Sequence, residues 1–299
     1  TNSSISPQVS NLAIGVYKCL LTVSDGTYTS TDEVQIIVSE SGNSNPSISI
    51  SSPTNGTSFA QGATIDISAA ASDLDGSVAK VEFFAGNTKI GDGTKIFPFA
   101  SIGTDPQDLK YKGENTKLEI GKNNKIREYV TINPGTSGGG GLTKIGDNCL
   151  FMISSHIAHD CKIGNNVIIA NNVPLGGHVT IEDNVVIGGN SAVQQFTRIG
   201  RLAMIGGMTG VLKDVTPFGL SIGNRNYLQG INLIGLRRKK YDNKKIMVLD
   251  KAYKEIFSSE NLHENLSRIN GEYKDNELVT EVIKFIEKDK KRPICSFQK

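Results

Sequence analysis

The histidines of this chain are concentrated in one place. Three of the four, His156, His159 and His178, lie in a single short stretch. Nineteen residues separate His159 from His178, and seventeen separate His178 from Gln195. In a chain that repeats every eighteen residues, such steps place His159, His178 and Gln195 in a column on one face. We therefore treat this column as a candidate site for chemistry.

Three interpretations fit a histidine column. Imidazole is a common zinc ligand, and some β-helix hydrolyases share three histidines between subunits. Imidazole also titrates near neutral pH, which suits general-base catalysis, and Asp160 offers a neighbouring carboxylate that would fix the tautomer of His159. The third interpretation is polar packing between subunits. The spacing alone leaves all three open.

The element that would position these side chains is a six-residue repeat. Between residues 145 and 211 every sixth residue is apolar, a period that neither a helix nor a strand produces. A hexapeptide repeat is typical of a parallel β-helix with three hexads in each coil. The apolar positions are Ile145, Phe151, Ile157, Ile163, Ile169, Leu175, Ile181, Ile187, Val193, Ile199, Ile205 and Val211.

The same register begins before the long run and is interrupted twice. A polar loop, GTDPQDLKYKGENTK, separates two groups of three hexads, and NPGTSGGGG precedes the long run. Together the eighteen apolar positions predict about six coils. Glycine often follows the apolar residue, as at Gly146 and Gly164, and we expect a positive φ there in the turns between strands. The earlier apolar positions are Ile90, Ile96, Ile102, Ile120, Ile126 and Ile132.

Bulk properties exclude several classes of protein. A net charge of +2 gives no support to binding of nucleic acid or of a membrane surface. No apolar run approaches the roughly 18 to 20 residues that span a bilayer. The first residues contain neither a starting Met nor a signal-peptide pattern, so we expect a fragment that begins within a longer protein. The four cysteines form no CxxC pair, and we predict that Cys149 and Cys161 are buried thiols and that the protein has no cofactor.

The N-terminal part has a different pattern. Residues 1–41 contain two alternating strands, YKCLLTV and DEVQIIV, around a hairpin turn. Residues 46–86 continue with short strands between turn residues. Both stretches resemble fragments of bacterial immunoglobulin-like modules, the first of the PKD type. Such a sandwich needs roughly 100 residues, so we predict two incomplete modules.

Beyond about residue 225 the apolar period becomes helical. Two stretches, KIMVLDKAYKEIF and NELVTEVIKFIEKDKKR, each place apolar residues on one face of a helix. We therefore predict a helical subdomain over 224–299 that follows a β-helix domain over 87–223.

From about residue 86 onward the chain resembles the UDP-N-acetylglucosamine acyltransferases of lipid A synthesis. The matching stretches include the loop DPQDLKYKGE, IREYVTINPGT, HIAHDCKIGNNVIIANNVPLGGH, SAVQQF and GINLIGLRR. The resemblance implies a mainly β protein, a left-handed parallel β-helix with a C-terminal helical subdomain. It also implies a cytoplasmic homotrimer with active sites between subunits, with no membrane span and no nucleic-acid partner.

The reaction implied is the first step of lipid A synthesis. A (3R)-3-hydroxyacyl chain passes from acyl carrier protein to the 3-hydroxyl of UDP-N-acetylglucosamine, and no metal or cofactor takes part. His159 matches the general base, Asp160 the carboxylate that orients it, and Gly177 the residue whose N–H holds the oxyanion. The positions that match substrate-binding residues are Asp108, Lys110, His156, His178, Gln195, Gly207, Asn232 and Arg238.

These binding positions divide by the part of the substrates that they match. Asp108 and Lys110 correspond to residues that hold the glucosamine and the donor. Gln195, Asn232 and Arg238 correspond to contacts at the nucleotide end, and His156 and His178 to polar groups of the cleft. Gly207 corresponds to the floor of the acyl pocket.

Two features depart from the family pattern. Gln194 stands where many relatives carry a histidine. The first several coils of the family are replaced by the immunoglobulin-like fragments, and the change occurs around GNTKIG. We therefore predict a chimera joined at this shared hexapeptide, by recombination or by an error of sequence assembly. Two other functions stay open: an extracellular binding or adhesion protein with the β-helix as a stalk, and a zinc-dependent β-helix hydrolyase.

Overall fold

The computed structural model describes residues 11–38, 44–60, 67–76, 83–85, 87–258, 261–273, 275–289 and 292–298. Parts of the two predicted immunoglobulin-like fragments lie outside these residues, at 1–10, 39–41, 61–66, 77–82 and 86. The chain divides into two compact units. The first unit contains Thr1–Thr57 and Asp66–Val81, and the second contains Ser58–Ile65 and Glu82–Lys299.

The first unit consists of two antiparallel pairs of strands. Strands β1 (Gly15–Ser24) and β2 (Thr29–Val38) form the predicted hairpin, and β3 (Ser47–Ser52) pairs with β4 (Ser68–Ser72). No described residue of this unit is buried.

The second unit is built on three sheets of short parallel strands that the chain visits in turn. The strands of the first sheet are β5 (Phe83–Ala85), which is antiparallel, then β6 (Thr88–Ile90), β9 (Lys117–Ile120), β12 (Leu142–Ile145), β15 (Lys162–Ile163), β18 (Thr180–Ile181) and β21 (Arg198–Ile199). Those of the second are β7 (Lys95–Ile96), β10 (Lys125–Ile126), β13 (Leu150–Phe151), β16 (Ile168–Ile169), β19 (Val186–Ile187), β22 (Met204–Ile205), β24 (Gly219–Ile222) and the antiparallel β25 (Tyr227–Ile231).

The third sheet completes each coil. Its strands are β8 (Ser101–Ile102), β11 (Thr131–Ile132), β14 (His156–Ile157), β17 (Pro174–Leu175), β20 (Ala192–Val193) and β23 (Gly210–Val211). Each sheet thus receives one strand from each of six coils, as the repeat predicts.

The apolar residue of each hexad points into the solenoid. All twelve from Ile145 to Val211 are at most 4% exposed. The first coil is less well covered, since Ile96 is 39% exposed. Interior packing by one apolar side chain per strand therefore explains the six-residue period.

The corners between strands use a left-handed residue at every sixth position. From Asn148 to Met208 all eleven of these residues have φ between 56° and 65°, and five of them are asparagine, which tolerates this conformation. The prediction that Gly146 and Gly164 supply the positive φ is wrong. A Cβ on Gly146 would lie 2.6 Å from the side chain of Asn165 and 2.7 Å from the backbone of Gly164, so glycine is needed for close approach between coils.

Both interruptions of the repeat leave the solenoid at the same corner, between the third and first sheets. The loop over 103–116 joins β8 to β9, and the glycine-rich loop over 133–141 joins β11 to β12 and contains one 3-10 turn, Ser137–Gly139. The eighteen-residue step from Ile102 to Ile120 therefore advances the chain by one face and keeps the register.

Four helices follow the solenoid. They are α1 (Leu233–Arg238), α2 (Asn243–Ile256), α3 (Leu262–Glu272) and α4 (Glu277–Lys288). Helices α2 and α4 match the predicted amphipathic stretches, whereas α1 and α3 were not predicted. Arg201 anchors α4 to the sixth coil through two hydrogen bonds of 2.8 and 2.6 Å to Glu281. Within the described residues every helix is too short or too polar to span a bilayer.

Candidate active site

The corner that follows β14 holds a histidine against a buried carboxylate. His159 Nδ1 lies 2.8 Å from Asp160 Oδ2. The side chain of Asp160 is 1% exposed and that of His159 is 13% exposed. Because a carboxylate accepts hydrogen bonds, His159 Nδ1 is the donor of this contact, and the neutral ring then carries its lone pair on Nε2. His159 is therefore held in the tautomer that a general base requires.

The glycine-rich loop encloses this carboxylate. Asp160 accepts hydrogen bonds from the backbone N–H of Thr136, at 3.0 and 3.1 Å, and from the Thr136 hydroxyl at 2.7 Å. A Cβ on Gly139 would lie 2.0 Å from the carboxylate, and one on Gly135 would lie 2.8 Å from it. The absence of side chains at these glycines lets the loop backbone close over Asp160.

The next coil brings a second imidazole to His159. The rings of His159 and His178 meet edge to face with centroids 5.0 Å apart. Gly177 makes this possible, since a Cβ there would lie 2.6 Å from Cε1 and Nε2 of His159. On its other side His178 stacks on Phe196 with centroids 4.4 Å apart.

The predicted column is wrong in one respect, because it mixes two adjacent columns. A step of eighteen residues aligns His159 with Gly177 and Gln195, as strand register requires. The same step aligns Asp160 with His178 and Phe196, which all have positive φ. His178 reaches His159 across the space that Gly177 leaves.

An open groove runs along the outside of the third sheet past His159. Its floor is formed by outward residues that become smaller from coil to coil, from His156 through Pro174 and Ala192 to Gly210. Three coils separate Ile157 from Val211, and strands lie about 4.8 Å apart, so this floor is roughly 14 Å long. Its rim includes Gln107, Gln194, Gln195 and Leu212.

The groove histidines favour the neutral form. Burial, and next the nearby His159, lower the pKa of His156, whose Nδ1 lies 2.6 Å from the Thr131 hydroxyl. Burial also lowers the pKa of His178, and His159 adds to this effect, while the charges of Asp160 and Asp108 oppose it. In both rings the neutral form is therefore stabilised relative to a free imidazole.

Family models match three parts of the chain. A bacterial transferase hexapeptide model of six repeats matches residues 142–177, and the model of UDP N-acetylglucosamine O-acyltransferase domain 2 matches residues 214–295. A bacterial Ig domain model matches residues 46–110 and so overlaps the first coil.

Over the aligned residues, curated relatives are about 50% identical to this chain. The acyl-[acyl-carrier-protein]–UDP-N-acetylglucosamine O-acyltransferase of Paracoccus denitrificans is 52% identical over 191 residues, 64% of this chain and 72% of that protein. That of Rhizobium leguminosarum bv. trifolii is 49% identical over 213 residues, 71% of this chain and 78% of the relative. The chain belongs to this O-acyltransferase family.

Solved structures of the acyltransferase family agree with the fold. LpxA from Acinetobacter baumannii has a TM-score of 0.66 at 40% sequence identity, and the match covers 70% of this chain and 88% of the Acinetobacter chain. LpxA from Moraxella catarrhalis has a TM-score of 0.67 at 41% identity, with 71% and 82% covered. The predicted left-handed parallel β-helix with C-terminal helices is confirmed, as is the prediction of an acyltransferase.

The polar loop brings two further predicted acyltransferase residues to the same edge. Asp108 is half-buried, accepts a hydrogen bond of 3.0 Å from the backbone N–H of Lys110, and is near enough to His178 to influence its pKa. Lys110 is exposed. Gln107 of this loop reaches the groove rim beside His159.

The remaining predicted residues lie elsewhere on the chain. Gly207 is at the corner between the second and third sheets, where a Cβ would approach the carbonyl of Gly189 at 3.2 Å. Asn232 caps α1, accepting from Gly235 N–H and donating to the Leu202 carbonyl. Arg238 is exposed at the end of α1. The structure does not bring these three residues to the rim of the His159 groove.

Sequence reasoning missed the residues that support the histidines. Thr136 and Thr143 hold Asp160, the latter through a 2.7 Å bond from Asp160 N–H to its hydroxyl. Thr131 pairs with His156, and Phe196 stacks on His178. The eighteen-residue step from His178 identifies Phe196, but no spacing identifies Thr136, because it lies on an inserted loop.

Proposed function

We propose that this chain transfers a 3-hydroxyacyl chain from acyl carrier protein to the 3-hydroxyl of UDP-N-acetylglucosamine, with His159 as the general base. The observation that carries the proposal is the 2.8 Å contact between His159 Nδ1 and the enclosed Asp160 carboxylate. It leaves Nε2 as the basic atom. The β-helix over 87–223 and the helical subdomain over 224–299 would carry the activity.

The proton follows a simple path in this mechanism. His159 Nε2 takes the proton from the sugar hydroxyl while the hydroxyl oxygen attacks the thioester carbonyl carbon. Asp160 stabilises the imidazolium that forms. When the C–S bond breaks, His159 returns the proton to the departing thiolate. The ester is formed, and His159 regains its initial state.

Gly177 is the proposed donor to the oxyanion of the tetrahedral intermediate. It lies next to the His159 ring, and within the described residues its N–H donates to no acceptor, whereas Gly176 and His178 donate to Val193 and His159 carbonyls. An N–H fixed in the backbone needs no reorganisation as negative charge develops, which favours the transition state.

The groove supports a donor with a long chain. A floor of roughly 14 Å with Pro174, Ala192 and Gly210 suits an extended, largely apolar or amide-containing arm. We place Asp108, Lys110, His156 and His178 around the reacting groups and Gly207 at the acyl chain. We place Gln195, Asn232 and Arg238 at the nucleotide end, in contacts that a neighbouring subunit would complete. The last set is the part of the proposal that depends on assembly.

A homotrimer is the proposed assembly. The outer face of the second sheet carries an apolar ladder of Leu150, Ile168, Val186 and Met204, one residue per coil in register. All four are only partly buried. Covering such a ladder by another copy removes apolar surface from water. Sedimentation equilibrium that gives three times the chain mass would support this, and a monomer would contradict it.

Activity is tested directly with the two substrates. Purified protein is incubated with UDP-N-acetylglucosamine and 3-hydroxyacyl carrier protein, and the acylated sugar nucleotide is identified by mass spectrometry. Omission of either substrate gives the blank, and a His159→Gln variant, similar in size, is the matched control. Product formation that does not depend on His159 would remove the proposed base.

A further inference from the structure

The pair of imidazoles at the groove has the components of a metal site. The ligand atoms of His159, Asp160 and His178 all lie within 4.8 Å of one another. His159 lines the open groove, and His178 is only partly buried, so a hydrated ion can reach them.

The hydrogen bonds indicate which of the three groups would contact the ion. The Asp160 carboxylate already accepts from Thr136 N–H, the Thr136 hydroxyl and His159 Nδ1. Asp160 therefore serves as a hydrogen-bond partner of the ligand His159 and does not itself contact the ion. Histidine ligands of zinc commonly donate their second ring N–H to a carboxylate, which orients the ring and raises its basicity. His159 is held in this way, with Nε2 free.

His178 supplies the second ring. It is fixed by stacking on Phe196 and faces the edge of His159, because Gly177 leaves the space between them open. Two neutral imidazoles with open positions for water suit borderline divalent ions of the zinc type.

We infer that His159 and His178 bind one Zn²⁺ per chain, with Asp160 as the outer partner, and that the bound ion blocks acyl transfer. The inhibition follows from the proposed function, because an ion on Nε2 occupies the lone pair that would accept the hydroxyl proton. Metal binding itself requires no substrate. The ion is thus an inhibitor of this site, and no step of the acyl transfer uses it.

Binding is tested first, on metal-free protein without substrates. Zn²⁺ is titrated by isothermal titration calorimetry into the full chain, into His178→Gln, and into His156→Gln as a matched control in the same groove. We expect one ion per chain and a loss of affinity of at least about tenfold in His178→Gln, with Asp160→Asn weakened by about 10- to 100-fold. Circular dichroism first confirms that His178→Gln is folded. If this folded variant binds Zn²⁺ with unchanged affinity, the proposed site is overturned.

Inhibition is tested second. In the acyl-transfer assay, activity should fall over the Zn²⁺ range in which the calorimeter detects binding and should return on addition of a chelator. Bound zinc without loss of activity, or activity that requires zinc, would overturn the inhibitory role. If the chain binds zinc with the expected variant pattern but transfers no acyl group under metal-free conditions, the metal site stands and the proposed function fails.

Discussion

In the hairpin of the first unit, Leu21 and Val34 lie on the same face of two ten-residue strands, yet both remain 57% exposed. In the solenoid, Ile157 and Leu175 come from strands of only two residues and are at most 1% exposed. Strand length therefore does not decide burial. An amphipathic hairpin buries its apolar face only against another layer, whereas each coil encloses its own interior.

The contrast extends to chemistry. The second unit combines a rigid interior with a corner where polar groups are fixed by several hydrogen bonds, as Asp160 is. In the first unit the hydrogen bonds of the described residues lie among exposed groups, for example between Asp25 and the N–H groups of Thr27 and Tyr28. A catalytic pair needs the first kind of support, so perturbing the two units should give very different results.

The largest effect is expected from the base itself. His159→Ala should lower kcat/KM by about 10²- to 10⁴-fold, because it removes the proton acceptor. Some loss of thermal stability is also expected, because the His159 side chain is only 13% exposed and its Nδ1 bonds the buried Asp160 carboxylate. Acyl-transfer kinetics measure the first quantity and calorimetry the second. Kinetics close to those of the original chain would show that the base is another group.

A core substitution should follow in size. Ile157→Ala leaves a cavity in a fully buried position and should cost about 2–5 kcal/mol of unfolding free energy. Chemical denaturation followed by circular dichroism measures the change. A cost no greater than that of a surface substitution would mean that the interior of the coil can collapse around the cavity.

Gly177→Ala tests the space between the histidines. The new Cβ would lie 2.6 Å from the His159 ring, so the ring must move. A displacement of about 1 Å at a catalytic group can lower the rate by about 10²-fold. Gly138→Ala is the control, since a Cβ there would meet nothing within 4 Å. Equal rates for the two variants would contradict the close packing of Gly177 and His159.

The smallest effect is expected in the hairpin. Leu20→Ala removes an exposed side chain and should change stability by no more than about 0.5 kcal/mol. The same denaturation experiment applies, and activity should be unaffected. A cost comparable with that of Ile157→Ala would mean that the hairpin is covered in solution.

The repeat made the solenoid predictable because burial imposes one constraint at every sixth position. Each of the eighteen apolar positions lies in one of the eighteen short strands that form the six coils. The same regularity explains the error in the histidine column. Side chains at His159 and His178 occupy adjacent columns, and only the missing side chain of Gly177 lets them meet.

The supporting residues were less predictable for a physical reason. Thr136 contacts Asp160 because an inserted loop folds back onto the next coil, and the path of a loop is not encoded in the period. The glycines at the corners were predicted to supply a positive φ, whereas the structure uses them for close approach between coils. Close approach between coils and positive φ both favour glycine, so sequence alone cannot distinguish them at Gly146.

Both long loops leave the solenoid between the third and first sheets, on the edge that carries His159. At the corner between the first and second sheets, by contrast, side chains are tied from coil to coil: Asp147 N–H donates to Asn165, and Asn165 N–H donates to Asp183. Extra residues at that corner would break this ladder. Chain length can therefore be changed on one edge without altering the register, which makes that edge the place to graft new recognition loops onto this scaffold.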